Sequence, residues 1–153
     1  MLQRGHAFNA RAGLRRVEGD RVIDVTYYPD VADLCLASDA AVLDYSSLRF
    51  DYALLRRPMV FLVPDEHEYH ENRPAIMPYG PTAPGPRVTT TGEVVRALKH
   101  LKQLRTRYAE DVERFVAAYL ECEDGHAAER VVERVFLRDT ATSDGAAARR
   151  AVP

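Results

Sequence analysis

The sequence predicts an α/β fold: a parallel, Rossmann-like sheet followed by C-terminal helices. In the first half of the chain, short apolar runs alternate with segments of helical period, which is the pattern of a parallel sheet covered by helices. The runs are almost unbroken in their apolar character, as expected for strands buried on both faces. In the second half, apolar residues recur at helical spacing.

The predicted strands are short. They lie at residues 22–25, 40–43 and 59–63, with a further contribution from residues 2–7. A doubly wound domain usually has about five or six strands, so this sheet is small. We therefore expect the chain to be a fragment of a larger protein.

Two helices connect these strands. Asp30 is the predicted N-cap of the first, and the second runs from Ser47 until Pro58 closes it. Residues 64–86 are rich in Pro, Gly, Glu and His and have no period. They are predicted to form a long irregular loop, and such loops are often functional.

Three helices are predicted after this loop. Thr90 and Glu93 form a capping box that opens the first, which continues to Leu101. The second and third are carried by apolar residues at helical spacing: Tyr108, Val112, Phe115, Val116 and Tyr119, then Ala128, Val131, Val132, Val135 and Phe136. Residues 139–153 are small, polar and Ala-rich, and a disordered tail is expected there. The predicted domain is therefore 1–138.

Composition limits the class of function. The chain has 153 residues, 29% of them charged, and a net charge of −2, which argues against a nucleic-acid partner because such domains are usually basic. Apolar runs stay well short of the roughly 18 residues that span a bilayer, and no signal peptide is recognisable at the start. The two cysteines lack metal-type spacing, and Cys35 is expected to be a buried, reduced thiol, which weakly favours the cytoplasm.

The segment Asp44-Tyr45-Ser46-Ser47 is the main candidate site. It follows a predicted strand and precedes a helix, and ligands of open parallel sheets bind at the carboxyl ends of strands. Unpaired N–H groups and the helix dipole suit a phosphate there. Asp51, about one turn further on, could accept a hydrogen bond from a ligand hydroxyl, or it could simply complement the helix dipole. The alternative is that Ser46 or Ser47 only caps the helix.

Other charged groups are weaker candidates. Arg4 could hold a phosphate and His6 could act as a general base, unless this is only a basic terminus without structure. His67 and His70 stand among four carboxylates, where a solvated acidic loop is favoured over a metal site, so no metal is predicted. Basic clusters, Arg56-Arg57 among them, could meet phosphate, although a solvated face is the more ordinary interpretation.

A longer series of short motifs runs through the chain. In order they are Arg4-Gly5-His6-Ala7-Phe8, Val22-Ile23-Asp24-Val25, Tyr28-Pro29-Asp30-Val31, Ser38-Asp39, Asp44-Tyr45-Ser46-Ser47, Phe50-Asp51-Tyr52, Arg57-Pro58, Phe61, Asp65, Tyr69 and Ala83-Pro84-Gly85-Pro86. This series resembles the CDP-glycerol glycerophosphotransferase family. The resemblance extends from about Leu2 to Phe136.

The resemblance implies a GT-B enzyme, with nucleotide bound between two Rossmann-like domains and this chain forming part of the C-terminal domain. It implies transfer of glycerol phosphate from CDP-glycerol, or of ribitol phosphate from CDP-ribitol, to a polyol-phosphate or lipid-linked acceptor in teichoic-acid-like polymer synthesis. Such enzymes work peripherally at the cytoplasmic face of the membrane, and no cofactor is implied. The expected site residues are His6 as the catalytic residue and Arg4, Asp44, Ser46, Ser47, Asp51 and Arg73 as substrate-binding residues.

The sequence departs from the family pattern at two places. Arg49 stands where family members usually have a Met-like residue, and residues 74–76 read Pro-Ala-Ile where the family tends to have Gly-Phe-Tyr. The family's N-terminal domain is expected to lie outside these 153 residues, so that domain or a partner chain is expected to complete the active site. The alternatives are a non-catalytic nucleotide-binding module and a C-terminal piece of another GT-B glycosyltransferase.

Overall fold

A computed structural model of the protein describes residues 1–5, 21–72 and 79–137. Two small sheets lie in these ranges, and every strand pair in them is parallel. The strands are β1 (Leu2–Gln3), β2 (Ile23–Asp24), β3 (Ala41–Leu43), β4 (Met59–Leu62) and β5 (Arg87–Val88). β1 pairs with β2, and β4 lies between β3 and β5. The predicted parallel strands are therefore confirmed.

Helices cover the sheets and follow them. They are α1 (Val31–Ala37), α2 (Leu48–Ala53), α3 (Glu66–Asn72), α4 (Thr91–Lys99), α5 (Leu101–Arg107), α6 (Ala109–Tyr119) and α7 (Ala127–Val132), with a 3-10 turn at Gly80–Thr82 and a π-helical turn at Glu133–Leu137. Within the described ranges, no helix combines the length and the apolar character needed to cross a bilayer.

Both predicted N-terminal caps are confirmed. Asp30 Oδ1 accepts a hydrogen bond from the Ala32 amide at 2.8 Å, which caps α1. Thr90 Oγ1 accepts from the Glu93 amide at 3.3 Å, and the Glu93 carboxylate accepts from the Thr90 amide at 3.0 Å. These bonds satisfy amides that have no partner inside their helices.

The prediction of one irregular loop over residues 64–86 is wrong. Part of it is helix α3, and the 3-10 turn occupies another part. α3 is stabilised by a long-range contact, because Tyr69 stacks on Tyr45 with ring centroids 3.6 Å apart. Because the two tyrosines are distant in the sequence, the local apolar pattern cannot reveal this contact.

One further strand and two helix ends also differ from prediction. Strand β5 was not predicted, since two residues are too few for a pattern. α4 ends at Lys99, because His100 leaves the helical conformation with φ −122° and ψ 40°, and α5 starts anew. α2 ends at Ala53, well before Pro58, and the chain turns through Arg56 at φ 51°.

The core is centred on β4. Met59, Val60 and Phe61 are at most 1% exposed. Tyr52 of α2 and Phe115 of α6 belong to the same buried set, so α2 is held between the sheet and a C-terminal helix. This packing positions the connection between β3 and α2.

Candidate functional site

Residues Asp44, Tyr45, Ser46 and Ser47 form the whole connection from β3 to α2, called here the 44–47 turn. Asp44 Oδ1 accepts from the Ser46 amide at 2.9 Å. Ser46 Oγ accepts from the Leu48 amide at 3.2 Å. The capping alternative therefore holds for Ser46, and the Asp44 carboxylate is engaged in shaping the turn.

Ser47 has a different role in the turn. Its side chain makes no capping bond to α2. Among the described residues, neither the Ser47 amide nor its hydroxyl has a hydrogen-bond partner, and the residue is exposed. α2 has only six residues, so its dipole is smaller than that of a long helix. Ser47 therefore offers two free donors at the carboxyl end of β3.

Tyrosines support the turn from the protein side. Tyr45 donates from its hydroxyl to Asp65 Oδ1 at 2.8 Å while its ring stacks on Tyr69 with an interplanar angle of 12°. Burial and then the Asp65 hydrogen bond raise the pKa of Tyr45 far above its ordinary value. Tyr45 therefore stays neutral at physiological pH and remains able to donate its hydrogen bond to Asp65.

Tyr79 is a contributor that the sequence did not identify. It is 4% exposed, and its hydroxyl donates to the Asp44 carbonyl at 2.6 Å. Burial raises its pKa, so this donor also persists at neutral pH. Its partner lies 35 residues earlier, so no local pattern marks it. Tyr45, by contrast, belongs to the Asp44-Tyr45-Ser46-Ser47 motif, which is recognisable in the sequence.

Arg49 is buried beneath the turn, with 8% of its surface exposed. Its Nη1 donates to the Ser46 carbonyl at 3.0 Å and to the Tyr45 carbonyl at 3.2 Å. The guanidinium carbon lies 4.9 Å from the Phe50 ring centroid and 5.1 Å from that of Tyr79. Burial lowers the pKa of Arg49. The Arg49 guanidinium, a charge that the family pattern lacks at this position, is thus buried beneath the 44–47 turn.

The other predicted site residues are distributed as follows. Arg4 is exposed and donates from Nη1 to the Tyr28 carbonyl at 3.0 Å. Asp51 is exposed on α2. The pKa of the buried Cys35 thiol is raised, mainly by burial and further by the Asp51 charge, with a smaller opposing effect of Arg4. His6 and Arg73 lie outside the described residues, as does the predicted tail at 139–153.

His67 and His70, which the sequence placed in an irregular loop, lie on helix α3. His67 Nε2 is 3.3 Å from Glu71 Oε1. The His70 ring meets the Tyr45 ring edge-on, with centroids 6.1 Å apart, and its buried Nε2 has no hydrogen-bond partner in the described ranges. No cluster of three potential metal ligands occurs among the residues that the structure describes.

Both guanidinium groups of the Arg56-Arg57 pair have partners within the described part of the protein. Arg57 Nη1 donates to the carbonyls of Cys35 at 3.2 Å and Leu36 at 2.8 Å. Arg56 is exposed but forms an ion pair with Glu113, with Nε and Oε1 2.7 Å apart. The two guanidinium groups therefore connect elements of the fold.

Two cavities in the described part of the chain lie away from the 44–47 turn. One, of about 200 Å³, is lined by Arg57, Met59 and Tyr108 among others. The second, of about 510 Å³, is lined by residues from Gly80 to Tyr119 and contains none of the predicted site residues. Neither cavity is lined by a residue of the turn, in which Asp44, Ser46 and Ser47 are exposed.

Comparison with known proteins identifies close relatives. A model of the family described as CDP-Glycerol:Poly(glycerophosphate) glycerophosphotransferase matches residues 1–137. The teichoic acid glycerol-phosphate transferase of Staphylococcus aureus is 38% identical over 118 residues, which cover 76% of this chain and 30% of that protein. The teichoic acid ribitol-phosphate primase of Bacillus spizizenii is 34% identical over 126 residues, covering 82% and 31%.

A solved structure agrees with this assignment. A variant of the wall teichoic acid polymerase TagF soaked with CDPG superposes with a TM-score of 0.76 at 30% identity, covering 92% of this chain and 35% of the TagF chain. The predicted fold class, a parallel Rossmann-like part of a GT-B enzyme with C-terminal helices, is confirmed. The chain spans between 15% and 31% of the length of the curated relatives that it matches.

Proposed function

Because this chain belongs to the CDP-Glycerol:Poly(glycerophosphate) glycerophosphotransferase family, we propose that it carries part of the donor site of such an enzyme. The reaction is transfer of glycerol phosphate from CDP-glycerol to a polyol-phosphate or lipid-linked acceptor, with release of CMP. The product belongs to teichoic-acid-like cell-wall polymer synthesis. CDP-ribitol is the alternative donor, since a ribitol-phosphate primase is among the relatives.

The free donors of Ser47 are the observation that carries this proposal. Ser47 is exposed just beyond the carboxyl end of β3, and its amide and hydroxyl have no partners in the described ranges. Donors of this kind suit a phosphate oxygen. Ser46, engaged in capping, and Asp44, engaged in the turn, hold Ser47 in place. Asp51 and Arg4 are proposed to complete the donor contacts.

The remaining parts of the reaction need groups beyond this site. We assign residues 1–138 to part of the C-terminal domain of a GT-B enzyme, with the N-terminal domain or a partner chain supplying the opposite wall. The exposure of Asp44, Ser46 and Ser47 supports this arrangement, because phosphoryl transfer gains from exclusion of water. His6 is proposed as the catalytic residue and Arg73 as a further substrate contact. Action at the cytoplasmic face of the membrane, as a peripheral protein, follows from the lipid-linked acceptor.

Calorimetric titration of the chain with CDP-glycerol, CDP-ribitol and UDP-sugars tests the proposal. Binding of a CDP-polyol without binding of UDP-sugars is expected. Binding of UDP-sugars alone would assign the chain to another GT-B glycosyltransferase. A well-folded chain that binds none of them would be a module without this donor site.

The two serines can be separated by single substitutions. Ser47→Ala is expected to weaken CDP-glycerol binding by about 1.5–3 kcal/mol, the usual contribution of a hydrogen bond to a charged group, without change in the unfolding temperature. Ser46→Ala is the matched control, expected to reduce the free energy of unfolding by about 0.5–2 kcal/mol through loss of the cap. Unchanged affinity in a folded Ser47→Ala variant would remove Ser47 from the site.

A further inference from the structure

Helices α4 and α5 carry a row of basic side chains, called here the basic surface. Its members are Arg96, Lys99, Lys102, Arg105 and Arg107. Between residues 94 and 109 the sequence contains no Asp or Glu. The whole chain has a net charge of −2, so its acidic excess lies entirely outside this segment. The small net charge therefore conceals a strongly polarised distribution of charge.

The five residues of the basic surface are exposed, and none forms an ion pair with a carboxylate in the described ranges. Four other arginines do so: Arg56, Arg87, Arg114 and Arg130. Like charges one helical turn apart repel each other. Lys102 also stands in the first turn of α5, where the helix dipole disfavours a cation. The fold itself therefore gives this row of cations little stabilisation.

The basic surface lies away from the 44–47 turn. Helix α4 begins just after β5, at the carboxyl edge of the sheet, which is also the edge of the turn because β3, β4 and β5 are parallel. Helix α5 lies at the opposite edge, since Leu104 and Arg105 line a cavity together with Pro58 and Met59, where β4 starts. The basic surface is therefore separate from the proposed donor site.

The shape of the basic surface favours an extended anionic partner. Of the two cavities described above, only the smaller, of about 200 Å³, is lined by a member of the surface, Arg105. The row is thus not a pocket for a small anion. Exposed cations on long side chains suit the headgroups of acidic phospholipids, which attract each nearby Lys or Arg. Val95, 46% exposed beside Arg96, adds an apolar contact.

We propose that the basic surface is the face through which the protein lies on the acidic phospholipids of the membrane. The 44–47 turn then lies at the edge of the sheet away from the lipid, on the side from which a soluble nucleotide arrives. A polyol-phosphate chain is also a polyanion, but a binding track for the acceptor would lead to the turn, and this surface does not. The inference rests on the membrane association included in the proposed function and deepens it by naming the surface.

The test is flotation of the full 153-residue chain with vesicles in a density gradient, which separates bound protein from self-associated protein. Vesicles of phosphatidylcholine alone are compared with vesicles that contain about 30% phosphatidylglycerol, at low salt. Lys99→Gln with Lys102→Gln removes two charges from the basic surface, whereas Lys99→Arg with Lys102→Arg keeps them. Arg114→Gln with Arg130→Gln is the matched control, because it removes two exposed cations that have carboxylate partners. Circular dichroism and thermal unfolding check that each variant is folded.

The unaltered chain is expected to bind the acidic vesicles and not those of phosphatidylcholine alone, and to be released at about 0.5 M salt, where charges are screened over short distances. The double glutamine variant at Lys99 and Lys102 is expected to bind about tenfold to thirtyfold more weakly, since each cation near an acidic membrane contributes about fivefold. The double arginine variant and the control at Arg114 and Arg130 should stay within about twofold of the unaltered chain.

Three results would overturn the inference. The first is undiminished binding of the folded double glutamine variant to acidic vesicles; if that variant does not fold, Arg96→Gln with Arg105→Gln takes its place. The second is equal binding to both kinds of vesicle, which would assign membrane contact to an apolar face. The third is absence of vesicle binding, and the basic surface would then belong to the acceptor chain if soluble poly(glycerol phosphate) binds the unaltered chain and not the glutamine variant.

The donor site is tested apart from the membrane surface. Calorimetric titration with CDP-glycerol in the absence of vesicles should give the same dissociation constant for the unaltered chain and for the double glutamine variant at Lys99 and Lys102. Failure of both to bind CDP-glycerol while the vesicle results hold would refute the donor site and leave the membrane surface in place. Loss of donor binding in the glutamine variant alone would contradict the separation of the two surfaces.

Discussion

Arg57 lies just before β4, and its guanidinium reaches the end of α1. Nη1 donates to the carbonyls of Cys35, Leu36 and Ser38, which are among the groups that a helix leaves without partners at its C-terminus. The Ser38 hydroxyl donates to the Cys35 carbonyl at 2.9 Å, and its oxygen is hydrogen-bonded to the Tyr52 hydroxyl at 3.1 Å. Motif residues Ser38, Tyr52 and Arg57 thus form one hydrogen-bonded group joining α1, α2 and β4. Their role here is to hold the fold.

Replacing Arg57 should therefore destabilise the protein. Arg57→Ala is expected to reduce the free energy of unfolding by about 1.5–3 kcal/mol, because it removes charged hydrogen bonds to part-buried carbonyls. Urea denaturation followed by circular dichroism measures the change. Arg56→Ala, which breaks an exposed ion pair, should change it by less than about 1 kcal/mol. Equal effects of the two substitutions would contradict this role for Arg57.

At the scale of elements, β4 depends on close contact with the segment 83–86. The Phe61 amide donates to the Pro86 carbonyl at 2.9 Å. A Cβ placed on Gly85 would lie 2.2 Å from the Met59 carbonyl oxygen and 3.2 Å from Phe61 Cε2. The absence of a side chain at Gly85 is therefore what allows this segment to reach β4 and to lead into β5.

Gly85→Ala is accordingly expected to lower stability by several kcal/mol, since the clash is with backbone at the centre of the core. Differential scanning calorimetry should show a clear fall in the unfolding temperature. Gly92→Ala serves as the control, because a Cβ there comes no closer than 4.0 Å to Arg96 Nη1 and the residue lies in α4. It should be neutral or stabilising by up to about 1 kcal/mol. A Gly85→Ala variant as stable as the unaltered chain would refute the close approach.

At the scale of the whole molecule, the C-terminal helical segment exposes a long apolar surface. Val131, Val135, Phe136 and Leu137 are each more than half exposed, at 55, 52, 64 and 58%. Contiguous apolar surface of this kind is usually covered by another protein surface. Since the chain spans 35% of the TagF chain, we propose that the rest of the enzyme or a partner chain covers it.

The chain by itself should then associate through this surface. Sedimentation velocity is expected to show concentration-dependent association, which the double substitution Val135→Ser with Phe136→Ser should reduce strongly. Glu133→Ser, a polar change on the same turn, is the control and should leave association unchanged. Sedimentation as a monomer at every concentration would contradict the prediction.

The sequence by itself determined the parallel α/β class, the three main strands and the caps at Asp30 and Thr90. It also located the 44–47 turn between β3 and α2. These features depend on interactions within a few residues, namely apolar period, capping and proline, and such interactions are visible along the chain.

Only the tertiary structure decided how that turn is built. Helix α3 forms where Tyr69 stacks on Tyr45, and the Asp44 carbonyl is held by Tyr79, 35 residues away. The turn also divides its two serines between a cap and free donors, and the buried Arg49 side chain lies beneath it on the Tyr45 carbonyl. These contacts join residues that are distant in the chain or depend on which way a side chain packs, so their energy leaves no periodic signal in the sequence.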